Sequence, residues 1–596
     1  MKGLDNVSDA FHKLTLETHQ LKWENDLPFS LESNDIFFQV DALDEIEHVF
    51  IEPNLILQRA SKDTNLVIGE IGFGFGLNFL STCKSWLKNS NNGLMTFISI
   101  DHKVPTQTEI KRLFKKFKIL KDLEDEFFES FDPIHKGINK FFFSNWNVEL
   151  VLYIGDVIDA IRDLNGGFMM DAWYLDGFDP KANPVMWSND VLDFIKIHSH
   201  KNTTLSTFSA AGFIRRGLSE RGFEVERKKG FKFKRHHLAG SYSQIEQKQT
   251  FKRVAVVGSG IAGCSTAYHL AKKGHTVELF EINGEISSGA SGNPLAALYP
   301  RFNPNEQPIN TLNLSSFFYA DRFYKSLNCD AYFRTGVAFL NHDKRTEKWI
   351  KKLKMLNRED LFVFSDEKNS TGYDNFEGVI FNHGGYLDPV KMNGCLIEHK
   401  NITVNKNYEF KSFDSNSSSV KLHFKDNKEL TFDCLVLAHG SGLINFSSYL
   451  TLSKGQLAAA KISDSIQMPI NSNGYILPLK DEVNWIGSSY ENQFQNMDVN
   501  KSKLQEMIEF QCDQFNLQNA ENECGSKTQI RVISKDKLPI SGQYKEYKNV
   551  FLLGGLGSRG FCYGPILGDH IASLIGNNIS PLEKIVTDSL QPNRFK

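Results

Sequence analysis

Two clusters of glycine, each behind an apolar run and each with acids nearby, are the residues of this 596-residue chain best suited to cradle an adenine-containing cofactor. The first runs Glu70, Gly72, Gly74, Gly76 after Leu66, Val67 and Ile68, and the second runs Gly258, Gly260, Gly263 after Val254 to Val257. Lacking a Cβ, the chain there turns tightly and lets a ligand approach its amides. The second spacing, G-x-G-x-x-G opening a helix near Ile261, is that of a dinucleotide loop whose diphosphate rests on the helix N-terminus. Glu281 ends the next apolar run, Thr276 to Phe280, at the distance where an acid accepts hydrogen bonds from an adenosine ribose. The first cluster, with glycines on alternate positions and an acid just ahead, differs in kind. Two enzymes fused in one chain is the reading that follows.

The elements that must position these residues are strands and helices in alternation. Between 66 and about 238, strands are predicted at Leu66 to Ile71, Thr96 to Asp101, Val148 to Tyr153, Ala172 to Asp176 and Thr203 to Phe208, separated by amphipathic stretches, as in a parallel sheet wrapped by helices. A polar piece, 241–250, is read as a short linker between a domain at 1–240 and another at 251–596. Residues 1 to 65 hold strand-like Ile36 to Phe38 and His48 to Ile51, an appended part of the first domain. Past the second glycine loop the pattern is βαβ up to Glu281, then mixed, with strand-like Tyr408 to Phe413, Val420 to Phe424 and Trp485 to Ser489.

Length argues for at least two domains. An apolar content of 41%, charged residues at 23% and a formal net charge of -3 describe an ordinary globular protein, so any RNA-binding surface must be a local patch. Eight cysteines without a C-x-x-C pair argue against structural zinc and a disulfide framework, and fit a reducing cytoplasm. The start lacks a signal-peptide stretch, and the most apolar window, Val254 to Ala271, reads as strand, turn and helix, not a membrane span. No metal and a monomer are expected.

The first glycine cluster resembles the S-adenosylmethionine loop of class I methyltransferases. Asp433 to Gly440, Ala290 to Asn293, Gly384 to Pro389 and Leu553 to Gly560 resemble motifs of FAD oxidoreductases of the glycine/D-amino-acid oxidase class. Gly72 to Leu80, Leu175 to Trp187 and Thr207 to Leu218 are similar to the MnmC family, the bifunctional tRNA 5-methylaminomethyl-2-thiouridine biosynthesis proteins, and the likeness runs over nearly the whole chain. It implies an α/β class I methyltransferase Rossmann-like domain fused to an FAD-binding Rossmann-type domain with an α+β substrate subdomain. Two mild departures stand out: Phe75 replaces a small or hydroxyl residue, and Asp101 replaces Glu, keeping the charge with a shorter reach.

The resemblance assigns Glu70, Gly72, Gly74, Gly76, Asp101 and Asp156 to S-adenosylmethionine, with Asp101 on the ribose and Asp156 at the adenine edge. Helix capping is the alternative for Asp101 and an ordinary Gly-Asp turn for Asp156. Asp176 is the candidate catalytic carboxylate. It would orient an alkylamine and take its proton, which an amine of pKa about 10 holds at neutral pH. Loop capping is its alternative role. FAD falls to Gly258, Gly260, Gly263, Glu281, Ser291, Gly292 and Gly557. Arg531 and Arg559 are planar, bidentate anchors for a substrate carboxylate, with a structural ion pair as the alternative.

Arg227, Lys228 and Lys229 lead a basic cluster that also contains Arg215, Arg216, Lys232, Lys234 and Arg235, interleaved with Phe223, Phe231 and Phe233; it is a candidate surface for tRNA with a modified wobble uridine. The bland alternative is a solvated charged strand pair. The family implies flavin-dependent removal of the carboxymethyl group from a carboxymethylaminomethyl uridine, then N-methylation of the freed amine. A fused enzyme pair acting on a free small amine, and a non-enzymatic RNA-binding protein with a structural flavin, are the rival readings.

Overall fold

A computed structural model describes residues 9–62, 64–89, 93–178, 183–232, 234–244, 252–302, 308–356, 358–364, 377–462, 466–514, 524–545 and 547–595. Two compact units emerge: Thr15–Thr250 with Asn577–Lys584, and Met1–Leu14 with Phe251–Gly576 and Ile585–Lys596. The termini therefore depart from a division at residues 240 and 251. Phe11 stacks on Phe302 at 5.4 Å and the Leu14 carbonyl accepts from Arg358 Nη1 at 2.9 Å, tying the turn Asp9–Leu14 to the second unit. Ser580 N–H donates to Asn165 O at 3.0 Å and Asn165 Nδ2 to Leu582 O at 2.8 Å, tying the late segment to the first. Residues 245–250 of the expected linker, and Phe233, Asp179 and Pro180 of the expected sites, lie outside the described residues.

The first unit is built on an eight-stranded sheet in the order Phe223–Lys229, His236–Tyr242, Ser199–Thr207, Met170–Leu175, Leu66–Ile71, Met95–Asp101, Val148–Ile154, Gly137–Phe143. Its centre is parallel. Successive residues alternate between two cores: Ala172 and Tyr174 face one, Trp173 and Leu175 the other. Both faces are covered, which is why these strands read as continuous apolar runs.

His48 to Ile51 is not a strand. The helix Ala42–Ile46 runs on into a π-helical turn, Glu47–Ile51, and the buried Ala42, Ile46, Val49 and Phe50 follow helical spacing that the β-branched run conceals. Of Ile36 to Phe38, only Ile36 enters a strand, Asp35–Ile36.

In the second unit the nucleotide-type sheet has the order Ile402–Asn405, Thr276–Phe280, Arg253–Val257, Cys434–Leu437, Val550–Gly554, Ile540–Gln543, with only the last strand antiparallel. A second eight-stranded sheet, which includes Leu450–Ala460 and Gly525–Ser534, forms the α+β part. The helix Gly560–Gly576 lies against Ile261–Lys272 so closely that a Cβ on Gly568 would stand 2.8 Å from the backbone of Ser265 and Thr266.

One cysteine expectation fails: Cys329 and Cys395 form a disulfide with Cα atoms 6.5 Å apart. The Asp388 N–H donates to Ala331 O at 2.8 Å, which draws the two segments together across a separation that spacing alone does not reveal. No described helix is long and apolar enough to cross a membrane.

The helix contact at Gly568 gives a test of packing alone. Gly568→Ala should lower unfolding stability by about 1–3 kcal/mol, the usual cost of overpacking. Gly394→Ala, whose Cβ would meet nothing within 4 Å, should raise it by about 0.5–1 kcal/mol. Denaturant titration of the two variants checks both signs.

Candidate active sites

Gly72 leaves the central strand Leu66–Ile71 with φ +103°. A Cβ at Gly72 would stand 1.7 Å from the carbonyl oxygen of Asp176. Gly72 N–H donates to Ile100 O at 2.9 Å, and Asp176 N–H donates to Ile71 O at 3.1 Å. The loop is thereby laced between the ends of both neighbouring strands. Gly76 caps the helix Leu77–Leu87, and Gly74 N–H donates to Asp101 Oδ2 at 2.7 Å, setting the shorter acid against the loop. Phe75, the unusual residue, turns into a cage of Trp23, Phe37 and Phe38, with ring centroids 5.9, 5.1 and 5.6 Å away.

Two carboxyls sit behind this loop. Glu70 is 1% exposed; its Oε1 accepts from Asn78 Nδ2 at 2.9 Å and its Oε2 from Ser99 Oγ at 2.6 Å. Burial pushes its pKa up to about 8 against those hydrogen bonds, so it is largely neutral at pH 7. Asp176 Oδ2 accepts from the same Asn78 Nδ2, at 2.7 Å. Burial pushes this carboxyl up to about 6, with Asn78 and then Lys234 opposing. It remains ionised at pH 7, yet is more basic than an ordinary aspartate. Among the described residues its side chain accepts a hydrogen bond from Asn78 and from no loop N–H. Asn78, in the first turn of its helix, was given no role by the sequence, because its two partners lie 8 and 98 residues away. Asp156 stands apart: it is exposed, and its Oδ1 accepts from Ile158 N–H at 2.8 Å as the N-cap of the helix Val157–Asp163.

The second loop repeats the first in outline. Gly258 has φ +104°, and its Cβ would stand 2.6 Å from Ala438 O and 2.5 Å from His439 Cα. Gly263 lies against the turn itself, its Cβ position 1.8 Å from Gly258 O. Gly260 caps the helix Ile261–Lys272 at the point where Ile261 N–H donates to Ser291 Oγ at 3.0 Å. Glu281 Oε2 accepts from Ser259 N–H at 3.2 Å, and its Oε1 from Asn283 N–H at 3.0 Å. Gly292 packs on Ser287 O, 2.3 Å from its Cβ position, whereas a Cβ at Gly557, with φ +57°, would enter open space. A loop without room for side chains, a helix N-terminus opening directly behind it and an acid at the next strand's end fit a dinucleotide.

Arg531 Nη1 donates to Ser489 O at 2.9 Å, and its guanidinium lies over the Tyr490 ring at 4.6 Å. Arg559 Nη2 donates to Tyr299 O at 2.8 Å, and the group lies 5.3 Å from the Tyr299 ring and 5.6 Å from that of Tyr563. Among the described residues neither arginine pairs with a carboxylate, and Arg559 Nε is buried without a hydrogen-bond partner. Both therefore keep charge and donors for an incoming anion. Arg301 adds its field at Tyr299, Tyr490 and Tyr563, a contribution the motifs did not flag.

Arg227, Lys228 and Lys229 are exposed on the edge strand Phe223–Lys229 of the first sheet. Part of the surrounding cluster is neutralised: Lys228 pairs with Glu226, Lys232 with Asp41 and Lys234 with Glu45.

Residues 117–243 match the model of an S-adenosyl-L-methionine-dependent methyltransferase family, and residues 253–574 match that of the FAD dependent oxidoreductases. The glycine oxidase of Geobacillus kaustophilus shares the fold at TM-score 0.50 and 18% identity, over 58% of this chain and 100% of that one. The L-proline dehydrogenase of P. horikoshii does so at TM-score 0.50 and 18% identity, over 58% and 98%. The molecule is thus a methyltransferase joined to a flavin-dependent oxidoreductase, with S-adenosylmethionine and FAD as cofactors.

Two relatives, both tRNA 5-methylaminomethyl-2-thiouridine biosynthesis bifunctional proteins MnmC, extend the match to full length. That of Leptospira interrogans serogroup Icterohaemorrhagiae serovar Lai is 30% identical over 96% of this chain and 99% of its own. That of Marinomonas sp. is 28% identical over 97% and 98%. The chain belongs to the MnmC family of bifunctional enzymes.

Glu70 yields a pH prediction. Its carboxyl keeps a proton in the folded state up to about pH 8 but loses it near 4.5 when unfolded. Stability therefore falls as pH rises through that window and levels off above it. Glu70→Gln removes this dependence. The variant should gain on the wild type between pH 5 and 8 by on the order of 4 kcal/mol, at about 1.36 kcal/mol per pH unit. Urea unfolding at several pH values measures it.

Proposed function

We propose that this chain completes a methylaminomethyl group on the wobble uridine of tRNA in two steps, an oxidation and a methylation, using the sites above. The observation that carries the reading is Asp176: an ionised carboxylate locked to the cofactor loop of a methyltransferase, with its basicity raised by burial. An amine nucleophile needs such a group to orient it and accept its proton.

The oxidation comes first, because the methyltransferase needs a primary amine. Gly258, Gly260, Gly263, Glu281, Ser291, Gly292 and Gly557 would hold FAD, which when bound accepts a hydride from the methylene carbon between nitrogen and carboxylate. Arg531 and Arg559 grip that carboxylate and present the carbon. Water then adds to the carbon–nitrogen double bond of the substrate, the bond breaks, and glyoxylate leaves the aminomethyl group behind. In the first unit Glu70, Gly72, Gly74, Gly76, Asp101 and Asp156 would hold S-adenosylmethionine, which when bound supplies the methyl group. Asp176 takes the proton that the amine gives up as the new carbon–nitrogen bond forms.

Arg227, Lys228 and Lys229 meet tRNA phosphates along the edge strand. A free small amine as substrate would leave this strand without a use, and the full-length relatives carry tRNA in their names. The domain division we adopt is methyltransferase at 1–240, linker at 241–250 and oxidoreductase at 251–596, with the terminal exchanges described above. We place the protein in the cytoplasm as a monomer.

Asp176→Ala should slow methylation about 10²- to 10⁴-fold, the usual worth of a positioned base, while flavin reduction by substrate tRNA continues. Nucleoside mass spectrometry should then show the aminomethyl form accumulating; normal methylated product would remove Asp176 from the mechanism. Replacing Arg227, Lys228 and Lys229 together by Gln should raise KM for tRNA in both reactions. It should also flatten the log–log salt dependence of binding by about 2–3, as read by filter binding at several salt concentrations.

A further inference from the structure

The side chain of Asn78 is placed to do more than pack. It is buried at the first turn of the helix that follows the cofactor loop, and its amide nitrogen has two hydrogens. Glu70 Oε1 takes one at 2.9 Å and Asp176 Oδ2 the other at 2.7 Å. Ser99 Oγ donates to the far oxygen of Glu70 at 2.6 Å, completing a chain Ser99, Glu70, Asn78, Asp176. Among the described residues only Oδ2 of Asp176 is held, which leaves Oδ1 for an amine.

We infer that Asn78 is the positioning residue of the methyl-transfer step, fixing the Asp176 carboxylate through one oxygen and keeping it ionised beside the second buried carboxyl, Glu70. The inference rests on the assignment of Asp176 as the base. Two acids buried within reach of one amide compete for charge, since ionising both in a low-dielectric site costs far more than ionising one. Asn78 donates to both, but Glu70 is the more deeply enclosed and stays protonated, so Asp176 carries the charge. Among the described residues three other charged groups act on Asp176. Lys234, from the turn after the basic strand, favours ionisation, whereas Glu45 and Asp101 oppose it. Lys234 is itself paired with Glu45 at 2.7 Å, which blunts its effect. The hydrogen bond from Asn78 is therefore the chief local support for the carboxylate.

This separates positioning from cofactor binding. Asn78→Ala withdraws a hydrogen bond to a charged group, so Asp176 should hold its proton to higher pH. The acid limb of the kcat/KM profile for methylation should move up by about one to two pH units, and the rate lost at pH 7 should return by pH 9. S-adenosylmethionine affinity by calorimetry, and flavin reduction by tRNA, should stay at wild-type values. Asn78→Ser, which keeps one donor, should move the limb by less, and it serves also where the alanine variant fails to fold.

An unmoved limb in either variant overturns the inference, as does a loss that is equal at every pH and accompanied by weaker cofactor binding. Asp176→Ala, run beside them, keeps the two claims apart. Methylation that survives in Asp176→Ala refutes the base itself, whereas abolished methylation there with an unmoved limb in the Asn78 variants refutes only the role of Asn78.

Discussion

In both halves of the molecule one glycine passes so close to a neighbouring strand's exit that no side chain fits. Gly72 and Gly258 leave their strands with φ +103° and +104°, and their Cβ positions fall 1.7 and 2.6 Å from the carbonyl oxygens of Asp176 and Ala438. The backbone exchange is also shared. Gly72 donates to Ile100 O and receives its flank from Asp176 N–H on Ile71 O; Gly258 donates to Phe280 O, with Ala438 N–H on Val257 O. Each loop is thus sewn to the strand on either side, and the acids at those strand ends, Asp101 and Asp176 in one unit and Glu281 in the other, inherit fixed positions. The cofactor loop and the chemistry beside it are one construction, not two features that happen to be adjacent.

What the two sites do with that scaffold differs in sign. The methyltransferase site gathers carboxyls and uses burial to divide them, leaving Glu70 near 8 and Asp176 near 6. The oxidoreductase site gathers guanidinium groups among tyrosine rings, and among the described residues they have no carboxylate partner. Under the function proposed above, the site that deprotonates an amine is built around a negative charge and the one that holds a carboxylate around positive ones. In the proposed function a single substituent on a nucleoside, acid first and amine afterwards, meets them in that order.

Much of this was legible in the chain. Strands buried on both faces announce themselves as apolar runs, so Leu66–Ile71, Met95–Asp101 and Thr276–Phe280 fall within a residue of expectation. The glycine spacings give the loops because steric exclusion leaves no other residue. What escaped depends on distant partners. The π-helical turn at Glu47–Ile51 hides behind β-branched residues whose burial follows a helix. The Cys329–Cys395 bond spans 66 residues. Asn78 looks like any polar residue in a first helical turn until Asp176 is brought to it, and Arg301 follows a recognisable motif without being part of it. Tertiary proximity, not local pattern, makes these residues matter.

The most direct test of the account uses the intact protein and tRNA whose wobble uridine carries the carboxymethylaminomethyl group. Without the methyl donor, anaerobic mixing should bleach the flavin and nucleoside analysis should find the aminomethyl form with one glyoxylate per nucleoside. Adding S-adenosylmethionine should convert that form to methylaminomethyl. A flavin that stays oxidised, or methylation that proceeds on the unoxidised group, would contradict the order of chemistry on which the two sites are read.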